Sequence, residues 1–268
     1  DPIIKAYSQV FPGMFKKASE MPASLRIHVR YPEDMLSIQG NVIAKYHMTD
    51  PTMFYNREDM WEAAKEVIDI NESEPGPINP YYINMKLPGE TKEEFLIMLP
   101  FTPLSTDKEN PRNNMTGWLA GRCDGKHYGE LLLYKFPKDS FVNGPRQIGI
   151  RINQDDEISG KLSLWNQQGS SVIFGNLLVI PLANFNLLYV QPIYMQAKSG
   201  KMPELQRVAV SDGERLSFGK TFAEALNKLV GSEVAQTITQ GEKPKPVSST
   251  VTDQSATVNE AAKHLRLY

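Results

Sequence analysis

Two short stretches gather the residue types that perform acid/base and polar recognition chemistry. One is Arg26-Ile27-His28-Val29-Arg30-Tyr31-Pro32. The other is Lys45-Tyr46-His47-Met48-Thr49-Asp50-Pro51, followed by Phe54-Tyr55. An imidazole titrates near neutral pH, and a neighbouring carboxylate can fix its tautomer. His47 and Asp50 are three residues apart, close enough to meet at a helix end, with Arg30 and Tyr55 as ligand-binding partners. The same residues have a plainer reading. His47 caps the C-terminal end of a helix, where a cationic ring is favoured, and Asp50 holds the turn that follows. His28 and Arg30 alternate with Ile27 and Val29, the pattern of an extended segment with one wet face.

Other chemistries find less. The four histidines at 28, 47, 127 and 264 form no His-x-x-x-His pair, and Cys123 is the single cysteine, so no zinc site is expected. Asp69 to Glu74 and Asp155-Asp156-Glu157 offer oxygen ligands, but without the spacing of a calcium loop and its glycine. Gly-x-Ser-x-Gly and both glycine-rich phosphate loops are absent, so neither a serine nucleophile nor a nucleotide cofactor is expected. Cys123, before Asp124-Gly125, reads as a small strand residue.

The elements that would position these residues follow from patterning. Pro32-Glu33-Asp34 opens a helix with acids in its first turn, and Met35, Ile38, Val42 and Ile43 repeat at helical spacing to about Tyr46. Thr49-Asp50-Pro51 stops it. Asn56-Arg57-Glu58-Asp59 signals a second short helix through Met60, Trp61 and Ala64. From Tyr81 the period changes to strands: Tyr81–Leu87, Glu94–Phe101, Asn114–Cys123, Tyr128–Phe136, Arg146–Ile152, Asn176–Pro181, Leu187–Gln196 and Gln206–Ser211. Asp124-Gly125 is the strongest hairpin signal. Asp155–Gln168 reads as a helix with Ile158, Leu162 and Trp165 on one face. Thr221–Val230 reads as another, with Phe222, Ala225, Leu226 and Leu229 inward and Gly231 closing it. Sequential hairpins with helices grouped at the ends predict an α+β fold built on a mainly antiparallel sheet. The globular domain is placed at 1–231, helical over 1–66 and mainly β over 78–218. A flexible linker rich in Ser, Thr, Gln, Lys and Pro follows at 232–255, then a truncated docking helix at 256–268.

Composition bounds the function. The 268 residues are 41% hydrophobic, enough for a large core, and one cysteine excludes a disulfide framework within the chain. With 29 Lys and Arg against 31 Asp and Glu there is no overall positive field, so nucleic acid is not an expected partner. Gly175–Gln196 is the most apolar window. Pro181, Pro192 and three asparagines make it two buried strands joined by a turn rather than a membrane span. The chain opens on Asp1-Pro2 without an initiator Met or signal pattern, which reads as an excised or processed piece.

Several stretches together resemble a known family. They include Asp1-Pro2-Ile3-Ile4-Lys5-Ala6-Tyr7 with Phe11-Pro12-Gly13, Arg30-Tyr31-Pro32-Glu33-Asp34, and Tyr46-His47-Met48-Thr49-Asp50-Pro51 with Phe54-Tyr55-Asn56. Further on come Leu99-Pro100-Phe101-Thr102-Pro103, Asp124-Gly125-Lys126-His127-Tyr128-Gly129, Arg151-Ile152-Asn153-Gln154-Asp155, Leu164-Trp165-Asn166-Gln167 and Gly175-Asn176-Leu177-Leu178-Val179-Ile180-Pro181. In order over about residues 1–230, they resemble the C-terminal soluble part of uncharacterised protein family 182, large bacterial membrane proteins with several N-terminal spans. The resemblance implies a place at the extracytoplasmic face of the cell membrane, and as partner the membrane-spanning segments of the same protein. It implies no catalytic residues and no cofactor. The expected role is a non-catalytic binding or assembly module, with an envelope protein, lipid or glycan as partner. Two rivals stand beside it: an enzyme acting on an envelope lipid or glycan through His47 and Asp50, and a regulatory domain of a transporter.

Overall fold

The computed structural model describes residues 1–67, 76–87, 90, 92–105, 111–139, 141–167, 169–182, 187–200 and 202–231. The expected linker and tail helix lie outside the described residues, as do the loop acids Asp69, Glu72 and Glu74. The fold is α+β, as the sequential hairpins predict. Its N-terminal part holds four helices: α1 (Pro2–Val10), α2 (Ala23–Arg26), α3 (Glu33–Tyr46) and α4 (Pro51–Asn56).

Strand chemistry then takes over. β1 (Trp61–Ala63), β4 (Tyr81–Lys86), β5 (Glu93–Pro103), β6 (Gly117–Arg122) and β7 (Leu131–Lys135) form one antiparallel sheet. A small ladder joins β2 (Lys65–Glu66) to β3 (Gly76–Pro77). The second five-stranded sheet contains β8 (Ser170–Phe174), β9 (Leu178–Pro181), β10 (Leu187–Ala197), β11 (Pro203–Ser211) and β12 (Leu216–Gly219). Helices α5 (Pro145–Gln154), α6 (Ser159–Trp165) and α7 (Phe222–Val230) complete the described elements. Among the described residues no helix is long and apolar enough to cross a membrane. The apolar window around Pro181 is instead the antiparallel pair β9–β10, with Leu187 opposite Pro181.

The first sheet is covered on both faces, and alternation shows how. Along β6, Trp118 and Ala120 join the core shared with the second sheet, while Leu119 joins the core beneath α3. All six β6 residues are buried as a result. Polar bonds fasten the two sheets together. The Tyr81 hydroxyl accepts from Val179 N at 2.8 Å and donates to Val179 O at 3.2 Å, and Glu66 Oε2 accepts from Leu177 N at 2.8 Å. Burial raises the Glu66 carboxyl above its ordinary range, and the Leu177 bond partly opposes that.

Several expectations are corrected. Arg146–Ile152 is helical, not a strand. Pro145 opens α5, Gln147 Oε1 accepts from Gly144 N at 2.9 Å, and Ile148 and Ile152 bury at i, i+4 spacing. The expected helix over Asp155–Gln168 shortens to α6, because Asp155 Oδ1 accepts from Glu157 N and makes a turn. The helix expected through Trp61 and Ala64 begins earlier, at Pro51, and ends at Asn56. Arg57 then turns left-handed (φ 57°), and Trp61–Ala63 becomes edge strand β1 opposite Phe101–Pro103. Strands β8 and β12 form in segments that showed no clear strand alternation. Helix α3 forms where the apolar repeat marks it: Leu36, Gly40 and Ala44 are buried and Ile43 packs partly buried against the same core, whereas Met35, Ile38 and Val42 are exposed.

One buried charge holds the end of the first sheet. Arg122 forks onto Glu94, with Nε at 2.8 and 2.9 Å from its two oxygens and Nη2 at 2.6 Å from Oε2; Glu90 lies 3.2 Å from Nη1. Removing one partner of a buried pair strands the other charge. Arg122→Met is expected to lose about 3–5 kcal/mol in denaturant unfolding. The double variant Arg122→Met/Glu94→Gln should recover part of that loss.

Candidate functional site

The four polar candidates occupy separate places. His47 ends α3, and Arg30 precedes its start, so some 20 Å of helix separates them, at about 1.5 Å per residue. The Arg30 guanidinium lies 4.5 Å from the Phe95 ring centroid and donates to the carbonyls of Ile27 and Val29. Its segment is pinned by neighbours. Tyr82 Oη donates to Tyr31 O at 2.7 Å, Tyr128 Oη donates to Arg30 O at 3.3 Å, and Tyr31 N donates to Cys123 Sγ at 3.4 Å. Burial pushes the Cys123 thiol up, away from the thiolate form.

His47 sits inside the protein. Its ring stacks on Trp61 at 3.6 Å, and its Nδ1 lies 3.0 Å from the Ile43 carbonyl, so that nitrogen carries the proton. Nε2 is buried without a hydrogen bond and faces Asp59 at 3.8 Å. Lys138 holds that carboxylate at 2.9 Å. The imidazole side chain is 4% exposed, so no external substrate reaches it. Asp50 Oδ1 accepts from Thr52 N and Met53 N, at 2.8 and 2.9 Å, and so caps α4. Tyr55, 86% exposed, lines a cleft of about 420 Å³ with Tyr46, Met48, Phe54 and Arg57. Neither His47 nor Asp50 lines that cleft. The His47–Asp50–Arg30–Tyr55 constellation therefore has no common space. Among the described residues no group of three or more His, Cys, Asp and Glu could hold a metal ion.

What the geometry does bring together is apolar surface. Every residue from 1 to 28 is exposed. In α1, Asp1 caps the first turn, Pro2 enters it, and Ile3, Ile4, Tyr7, Val10 and Phe11 share one face at helical spacing with none buried. Met14, Phe15, Met21, Leu25 and Ile27 extend the exposed set, and Met35, Ile38, Val42 and Tyr46 continue it along α3. Sixteen of the 24 exposed large hydrophobic residues described fall before residue 56, which makes this a face rather than scatter. A cleft of about 610 Å³ opens between Ala18, Met21, Ile27 and Val29 on one side and Cys123 and Tyr128 on the other. The spacing 3, 4, 7, 10, 11 after an Asp-Pro cap is the signal in the sequence that marks α1 as amphipathic.

A sequence model of an uncharacterised protein family, UPF0182, matches residues 1–165. The chain belongs to this family. A UPF0182 protein of Desulfitobacterium hafniense is 52% identical over 232 residues, covering 86% of this chain and 24% of its own length. One from Desulforamulus reducens is 46% identical over 277 residues, covering all of this chain and 28% of its own length. One from Methanospirillum hungatei is 44% identical over 260 residues, covering 96% of this chain and 27% of its own length. This UPF0182 chain thus spans about a quarter of the length of the curated relatives it matches. No solved structure matches it.

The buried imidazole generates a test. Burial holds His47 below its ordinary value of 6.5, against the pull of the Ile43 carbonyl and Asp59, and Lys135 lowers it further. The unfolded chain therefore takes up this proton first. Stability is full above 6.5 and is lost as pH falls through the lowered folded value. Thermal melts at about pH 7.5 and pH 5.5 are expected to show a drop in Tm that is smaller in His47→Phe than in the parent.

Proposed function

We propose that this UPF0182 chain is the extracytoplasmic module of a larger multi-spanning membrane protein, and that it binds or assembles rather than catalyses. The observation that carries this reading is the uncovered apolar face from Ile3 to Tyr55, which the folded body leaves to something else. Monomeric soluble domains rarely expose so continuous a set. Relatives about four times longer supply ample chain on which such a face can dock. The dispersed positions of Arg30, His47, Asp50 and Tyr55 remove the geometric support for acid/base chemistry on an envelope lipid or glycan.

The location is tested in intact cells with the full-length protein. Ser163 on α6 is exposed and Cys123 is buried, so in a full-length protein whose cysteines outside this chain are replaced by serine, Ser163→Cys adds a single reachable thiol. A membrane-impermeant maleimide is expected to label this variant without permeabilisation, while the parent stays unlabelled. Labelling only after permeabilisation would contradict the extracytoplasmic placement.

A further inference from the structure

We infer that the N-terminal arm, residues 1–30, is a peripheral anchor that lies on an anionic lipid surface. The inference deepens the reading above by naming what the module's apolar face meets. Three observations carry it.

The first is exposure without a partner. The apolar side of α1 (Ile3, Ile4, Tyr7, Val10 and Phe11) carries no buried residue. A helix of nine residues is marginal in water by itself, and an apolar boundary against its face would stabilise it.

The second is charge. Residues 1–30 carry five basic side chains and two acids, whereas residues 31–268 carry 24 basic side chains and 29 acids. The arm is therefore net positive on a body that is net negative. An anionic surface attracts the arm and repels the rest, which sets an orientation.

The third is order along the chain. Phe11, Met14 and Phe15 are exposed directly before Lys16-Lys17, so aromatic and thioether groups stand beside ammonium groups. That juxtaposition suits the boundary between acyl chains and headgroups, where aromatic rings and basic side chains concentrate. The core of a protein interface is depleted in lysine, and a second copy would bring like charges together. Beyond the lysines, Arg26 Nη2 donates to the carbonyls of Ala18, Ser19 and Met21 at 3.1–3.3 Å. This clasp folds the strap back on itself and leaves Leu25 outward, while Met21 and Ile27 stay exposed at the cleft.

The test is vesicle flotation of the 268-residue chain, whose cores lie in the body and use none of the arm's first 28 residues. Vesicles are phosphatidylcholine alone, or with about a third phosphatidylglycerol. The chain is expected to float with the anionic vesicles, less at high salt, and not with phosphatidylcholine. Lys16→Gln/Lys17→Gln should weaken binding roughly thirty-fold, at about five-fold for each basic charge near the surface. Phe11→Asp/Phe15→Asp should abolish it, with the Tm of both variants unchanged. No flotation, or flotation that neither variant reduces, would overturn the inference. So would a solution dimer that Phe11→Asp/Phe15→Asp disperses, because the arm would then be covered by a second copy. Vesicle binding is indifferent to which side of a cell membrane the chain occupies. Its failure beside successful maleimide labelling condemns the lipid contact alone, and the reverse pair of results condemns the placement alone.

Discussion

At Gly40 the backbone of α3 comes so close to β5 that a methyl group there would lie 2.6 Å from Leu99 Cδ2. The rest of the N-terminal architecture depends on this approach. It admits only a narrow inward stripe on the helix, Leu36, Gly40 and Ala44, one residue per turn. Leu36 and, in part, Ile43 find room in the core, and Met35, Ile38, Val42 and Tyr46 are left facing outward. The apolar face is therefore a consequence of how the body packs. It is not a core stripe awaiting a better fit.

The same economy explains why the polar candidates lie apart. Residues at the ends of α3 and α4 have backbone groups to satisfy, and His47 and Asp50 are each taken by one of them. His47 closes α3 and stacks on Trp61, which in turn packs at 5.8 Å from Phe101 on the sheet beneath. Asp50 opens α4. Arg30 holds the strap that carries Tyr31 into the second core, beside Cys123 and Leu119. Where the body does hold a buried charge network, at Arg122 and Glu94, every charge is matched and little is left to offer a ligand.

Local patterns made the central strands and both ends of α7 legible. The β9–β10 pair follows from two apolar runs broken by Pro181 and Pro192. Thr221 and Gly231 mark α7 as its cap and its stop. What was not legible needed tertiary context. Ile148, Ile150 and Ile152 alternate like a strand, and only the burial of 148 and 152 together against the β2 side makes that segment helical. Trp61–Ala63 carries no alternation long enough to read, yet the open edge of β5 recruits it. The spacing of Met35, Ile38, Val42 and Ile43 marks α3 as a helix, but apolar periodicity does not report what lies against each face. His47, Asp50 and Arg30 each satisfy a local backbone group, while Tyr55 is exposed. Their separation depends on a helix length and a turn that no spacing of three residues encodes.

An account in which a self-sufficient body presents an apolar, basic arm to its surroundings makes one direct demand on the intact protein. Hydrogen–deuterium exchange of backbone amides in residues 2–28 compares the isolated chain with the full-length protein in its membrane. The account predicts fast exchange in the isolated chain and marked slowing in the membrane, with the amides of β5, β6 and β10 slow in both. Equally fast exchange of the arm in both settings would contradict it.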